Sequence, residues 1–148
     1  MATFTSDGTI LSVSAGPPAT YDQAGYEALT FTAIGEVVDF GSGDSTYGVA
    51  SYKPLATRTT VKRKGSVEHS DMTFQMAKDI ADAGQVILQT GLDGAEDDTE
   101  HSFKIALADG TVQYTTGLIT SFSTEIGGAD SIVFASLTIA RSQGVVEV

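Results

Sequence analysis

Apolar and polar side chains alternate along most of this chain with a period of two, the signature of strands with one buried face. Leu11 and Val13 alternate with Ser12 and Ser14, and Asp7-Gly8 supplies a two-residue turn, so Thr3 to Ser14 is predicted to be a hairpin. Leu29, Phe31 and Ala33 alternate with Thr30 and Thr32 in a strand expected over residues 29–40, with a bulge or a close backbone approach at Gly35. Met72, Phe74 and Met76 define another strand, and Phe103, Ile105 and Leu107 a further one, closed by an Asp109-Gly110 turn. From Val112 to Ile126 the even positions form one long pattern. Its length predicts a bend at Gly117 or a passage between sheets. Residues 132–140 are apolar on both faces, as in a central strand, and Ser142 to Val148 reads as a tail.

The period changes once with clarity. Asp82-Ala83-Gly84-Gln85 has the form of a helix N-cap with Gln three residues on. Ala83, Val86, Ile87 and Thr90 then follow at helical spacing, with Gly91 as a stop. Ile80, Ile87 and Leu88 are expected to pack on a sheet. Thr20 to Ala28 reads as one irregular turn, with Tyr21, Ala24 and Ala28 at helical spacing. The fold class is therefore mainly β. We expect a single domain over residues 1–148: an antiparallel β-sandwich or barrel, one flanking α-helix over 82–90 and a long extended loop over 41–65.

Charge changes how that loop is read. The 148 residues carry a net charge of −11, yet Lys53, Arg58, Lys62, Arg63 and Lys64 put five of the eight basic residues between positions 53 and 64, with no acid among them. The remainder holds three basic residues against all nineteen acids. A connection of such length is usually functional or disordered. If its return leg is extended, Arg58, Thr60, Lys62 and Lys64 share a face, spaced to meet a row of carboxylates. Tyr47, Val49, Tyr52, Pro54 and Leu55 can add apolar contact. The missing counter-charge lies on the same protein. Two unlike patches on one molecule make a heterologous contact, which builds rings or open filaments. Nucleic acid is a poor partner for an acidic surface, and no aromatic follows Lys53 within the cationic stretch to stack on a base.

Candidate chemistry is sparse. Cysteine and tryptophan are absent, which removes disulfides and thiolate metal sites. His69 and His101 each lie in a polar stretch without a second ligand at metal spacing. Gly43-Asp44-Ser45 lacks the strand and helix of a nucleophile elbow. Asp93, Asp97, Asp98 and Glu100 do not match the twelve-residue calcium loop. No phosphate loop or dinucleotide fingerprint occurs, so neither catalysis nor a cofactor is expected. No apolar run reaches the length of a membrane span, and the N-terminus lacks a signal-peptide pattern.

Several stretches carry a family resemblance: Pro18-Ala19-Thr20-Tyr21-Asp22-Gln23-Ala24-Gly25-Tyr26, Ile34-Gly35-Glu36-Val37, Tyr52-Lys53-Pro54-Leu55-Ala56-Thr57, Lys62-Arg63-Lys64-Gly65 and Asp82-Ala83-Gly84-Gln85. In order and spacing, from about Ser14 to Ala140, they resemble the tail tube (major tail) proteins of long flexible-tailed bacteriophages, the siphophages. The resemblance implies a virion protein made in the host bacterial cytoplasm. Six subunits would form a ring with a continuous inner barrel, and stacked rings would conduct DNA from capsid to host. It implies that the 41–65 loop contacts the next ring, through Tyr47, Tyr52, Lys53, Leu55, Arg58, Lys62, Arg63 and Lys64. It further implies tape measure, tail terminator and tail tip partners. An acidic lumen would let double-stranded DNA slide, with Glu68, Asp71, Glu125 and Asp130 as expected lumen acids. Two other readings remain open: a monomeric ligand- or carbohydrate-binding sandwich, and the tube protein of a contractile machine with a sheath partner.

Overall fold

The computed structural model describes residues 3, 5–94 and 99–148. Seven strands form one antiparallel path in the order β2 (Thr32–Ile34), β1 (Ile10–Ser14), β7 (His101–Ala106), β8 (Val112–Glu125), β9 (Phe134–Arg141), β6 (Met72–Ala77) and β3 (Val37–Phe40). An eighth, β10 (Val146–Glu147), pairs with the start of β8. A separate two-stranded sheet joins β4 (Ser45–Tyr52) to β5 (Val61–His69). Two helices complete the fold, α1 (Gln23–Glu27) and α2 (Ala83–Asp93).

The consecutive strands β2 and β3 lie at opposite margins of the main sheet. Only Gly35 and Glu36 separate them, so the expected 29–40 strand is broken rather than bulged. Glu36 takes a left-handed φ of 62°, which turns the chain out of one margin and into the other. The sheet is thereby strongly curled, but its margins do not pair and it is not a closed barrel.

The curl encloses Leu11, Val13, Ile34, Met72, Phe74, Met76, Leu88, Phe103, Ile105, Phe122, Ala135, Leu137 and Ile139. Alternation predicts most of these, and the exceptions have physical causes. In β2 the inward residue is Ile34, opposite Leu11, while Ala33 is exposed. In β8 the register shifts between Ile119 and Ser121, and this bulge exchanges the faces. Ile119 and Phe122 therefore both reach the core, whereas Tyr114 and Thr116 face the other way. β8 does not pass between sheets, and its irregularity falls between Ile119 and Ser121 rather than at Gly117. The strand pairs with β7 up to Gly117 and with β9 from Gly117 onward.

The outer face at Tyr114 is covered by α1. Asp22 caps that helix by accepting from the Gly25 N–H at 2.8 Å, which holds its carboxyl below the usual range. Tyr26 is fully buried, stacks on Tyr114 at 5.2 Å and shares a 2.6 Å hydrogen bond with the Thr116 hydroxyl. Helical spacing singles out Tyr21 instead, which remains exposed.

Helix α2 crosses β2 closely, with Gly84 against the backbone of Ala33 and Ile34. A Cβ there would lie 2.6 Å from the Ala33 carbonyl oxygen. Gly91 does not end the helix, which continues to Asp93; its missing side chain makes room for the His101 ring. Asp82 caps the Gln85 N–H, as expected, and also accepts from Gly35. The Gln85 amide does not return to the cap. It donates to the carbonyls of Ala77 and Gly35 and accepts from the Asp79 N–H, tying the bend to the helix start. Leu88 is buried and Ile87 partly so, but Ile80 is 84% exposed, contrary to expectation.

Two further expectations are corrected. Gly8 makes its turn with φ 84°, yet Thr3 and Thr5 form no strand, and β1 pairs instead with β2 and β7. The tail is not free, because Val146 and Glu147 extend the sheet.

Candidate self-assembly interface

The 41–65 loop folds as part of a hairpin. β4 contains Thr46, Tyr47, Val49 and Tyr52, β-branched or aromatic residues that favour an extended backbone. The partner strand is longer than the sequence indicates and reaches His69. A register shift between Tyr47 and Val49 places an extra residue on β5 near Gly65, where the two backbones approach closely. The connection over 53–60 carries Arg58 at φ 56°.

Pairing sorts the cations. Val49 opposes Lys64 and Ser51 opposes Lys62, so these two lysines share a face with Tyr47. The Lys64 ammonium sits 4.6 Å from the Tyr47 ring centre. Arg63 opposes Ala50 and points to the other face. Arg58 lies in the connection outside β5, so the row of three cations expected from periodicity is a pair.

Every residue of β4 is exposed, as are residues 62–68 of β5. Tyr47, Val49, Tyr52 and Val67 are exposed along the hairpin, and Leu55 at its tip is 95% exposed. An isolated two-stranded hairpin is marginal in water and depends on packing against something else.

What holds this hairpin is its root. The Arg141 guanidinium, at the end of β9 and 6% exposed, donates from Nε to the Ser70 carbonyl at 2.8 Å. It also donates from Nη2 to the Asp44 carbonyl at 3.0 Å. Burial pushes its pKa down, while Asp44 and Asp71 act in the opposite direction. The Ser70 N–H donates to the Asp44 carbonyl and the Asp44 N–H to the Ser70 hydroxyl, both at 2.9 Å. Ser45 and His69, cross-strand partners, share a 2.7 Å hydrogen bond through Nδ1. Sequence reasoning finds no histidine to support Ser45, because His69 lies 24 residues away. Among the described residues no acid completes this pair, and it sits on an exposed hairpin base.

The expected lumen acids fall into two groups. Glu68 is on β5 and Asp71 follows the root, whereas Glu125 ends β8 and Asp130 lies in the β8–β9 turn, at the opposite end of the sheet. Glu125 accepts from the Ser136 hydroxyl at 3.1 Å. Of the acids weighed for calcium, Asp97 and Asp98 lie outside the described residues. Among the described residues, no group of three His, Cys, Asp or Glu side chains could hold a metal ion. No described helix is long and apolar enough to cross a membrane.

No protein-family model and no curated protein sequence matches the chain. Solved structures do. A chain of the anti-feeding prophage baseplate, symmetrised six-fold, superposes with a TM-score of 0.73 at 12% identity, covering 100% of this chain and 97% of that one. A chain from the sheath/tube terminator of an extracellular contractile injection system, PVC, gives 0.64 at 11% identity, covering 100% and 98%. A chain from the tail of an empty GTA particle, refined with C6 symmetry, gives 0.63 at 13% identity, covering 97% of each. The fold of this protein is thus one it shares with chains of a prophage baseplate, an injection-system terminator and a GTA tail.

Proposed function

We propose that this protein is a structural tail-tube subunit that polymerises into stacked rings, without catalysis. The observation that carries the reading is the β4–β5 hairpin, which exposes tyrosines, valines, a leucine and five cations on a body of opposite net charge. Such a hairpin gains its stability by binding, and the acidic partner is another copy. The fold shared with tail and injection-system chains supports the same conclusion.

In this reading six subunits close a ring and the hairpin grips the next ring. The acidic wall repels the phosphates of passing double-stranded DNA. The particle is a virion tail, whose further partners are tape measure, tail terminator and tail tip proteins. A second reading, the tube of a contractile machine, is favoured by the likeness to the chain of the extracellular contractile injection system, PVC. A sheath protein encoded alongside this one and binding its tubes would select it over a long flexible tail.

Negative-stain microscopy of the purified protein tests the common core of both readings. Rings or tubes are expected, and uniform monomers at every concentration and salt would overturn them. The variant K62E/R63E/K64E is expected to keep the wild-type circular dichroism spectrum and melting temperature while losing stacked tubes.

A further inference from the structure

The hairpin offers half of a contact, and the opposite end of the same sheet has the complementary features. From the hairpin root, β6 runs from Met72 to Ala77, about 17 Å at the usual strand rise. Three connections meet at its far end. The Ala77 N–H donates to the Glu36 carbonyl at 2.8 Å, the Lys78 N–H donates to the Val133 carbonyl at 2.9 Å, and Glu125 pairs with Phe134.

This end exposes apolar side chains that its own fold does not use. Ile80 is 84% exposed, Ile126 69% and Ile132 67%. Glu36, Asp79, Glu125 and Asp130 are all exposed among them. The one base there, Lys78, is turned onto the Phe122 ring at 4.4 Å. A cavity of about 230 Å³ opens between residues 78–80 and α2, lined by Ile80, Val86, Gln89 and Thr90 among others.

We infer that this end is the receptor for the hairpin of a second copy: Leu55 seats beside Ile80 and Val86, and Lys62 and Lys64, which share a face, lie along Asp79, Glu125 and Asp130. The charges are opposite, both surfaces carry exposed apolar groups, and the cavity provides a seat for the hairpin tip. Within one subunit the hairpin leaves from the other end and is solvent-exposed along β4, so the contact is between copies. On this reading, Glu125 and Asp130 belong to the seam between rings and not to the lumen wall. The inference rests on the tube proposal but fails separately from it.

The test combines charge reversal with cross-linking in the full chain. E125K/D130K is expected to lower tube yield at least tenfold, and combining it with K62E/R63E/K64E is expected to restore tubes. Because the native chain has no cysteine, oxidised tubes of L55C/I80C should give a ladder of linked chains on a non-reducing gel. Wild-type tubes together with undiminished E125K/D130K tubes, or L55C/I80C tubes that run as single chains, would overturn the inference and leave the tube proposal standing. A wild-type protein that never assembles would overturn both.

Discussion

A buried guanidinium at the end of β9 holds carbonyls from the two legs of the hairpin root. Arginine suits that position because its planar fork reaches two acceptors at once, whereas lysine offers a compact charge on a flexible stem. Arg141→Lys is expected to cost about 1.5–3 kcal/mol, the range for hydrogen bonds made by a charged group. Amide exchange read by mass spectrometry should accelerate most over residues 45–69, and the strands of the main sheet should change less. An unchanged exchange profile would show that the root is held by its backbone bonds alone. Arg141 is invisible to sequence reasoning because its partners lie 71 and 97 residues away. The core residues of β1, β6 and β7 are legible, since alternation in a half-buried strand is a local signal.

Among the elements, α1 and β8 show where local signals give out. The even positions of β8 look like one continuous face, and the bulge near Thr120 divides them between two environments. Nothing in the residues themselves marks that bulge. The helix start at Asp82 is legible through its cap, but the use of Gln85 to fasten the Gly35 bend depends on the folded juxtaposition. Tyr26 likewise gains its role only when α1 lies over β8. Its phenol pKa is raised, first by burial. A raised folded-state pKa favours the protonated form, so that contribution to stability is intact below the ordinary tyrosine value of about 10. It is lost as pH rises through the higher folded value. Thermal melts between pH 8 and 11 should therefore fall at the alkaline end. Tyr26→Phe should make that fall shallower and lower stability at neutral pH by about 1–3 kcal/mol, through the stranded Thr116 hydroxyl. An identical alkaline slope in the variant would count against Tyr26 as a source.

For the whole molecule, the separation of charge is the property that composition reveals and strand pairing places in space. The cationic hairpin leaves from the Met72 end of β6, while Asp79, Glu125 and Asp130 lie towards the Ala77 end. Screening lengths shrink to about 3 Å at 1 M salt. Tubes held partly by these charges should shorten as salt rises towards that concentration, as measured by length distributions in micrographs. Lengths indifferent to salt would mean that buried apolar surface, rather than charge, holds the rings together.

The bare hairpin edges carry a last consequence. Two free subunits that meet hairpin to hairpin bring together the same positive charges, and Lys62 and Lys64 discourage those strands from joining. Symmetric pairs are therefore disfavoured, and in the proposed tube addition would proceed by one kind of surface meeting the other. A polymer grown that way has two unlike tips and a direction, so proteins that start it and proteins that stop it can each recognise a different terminus.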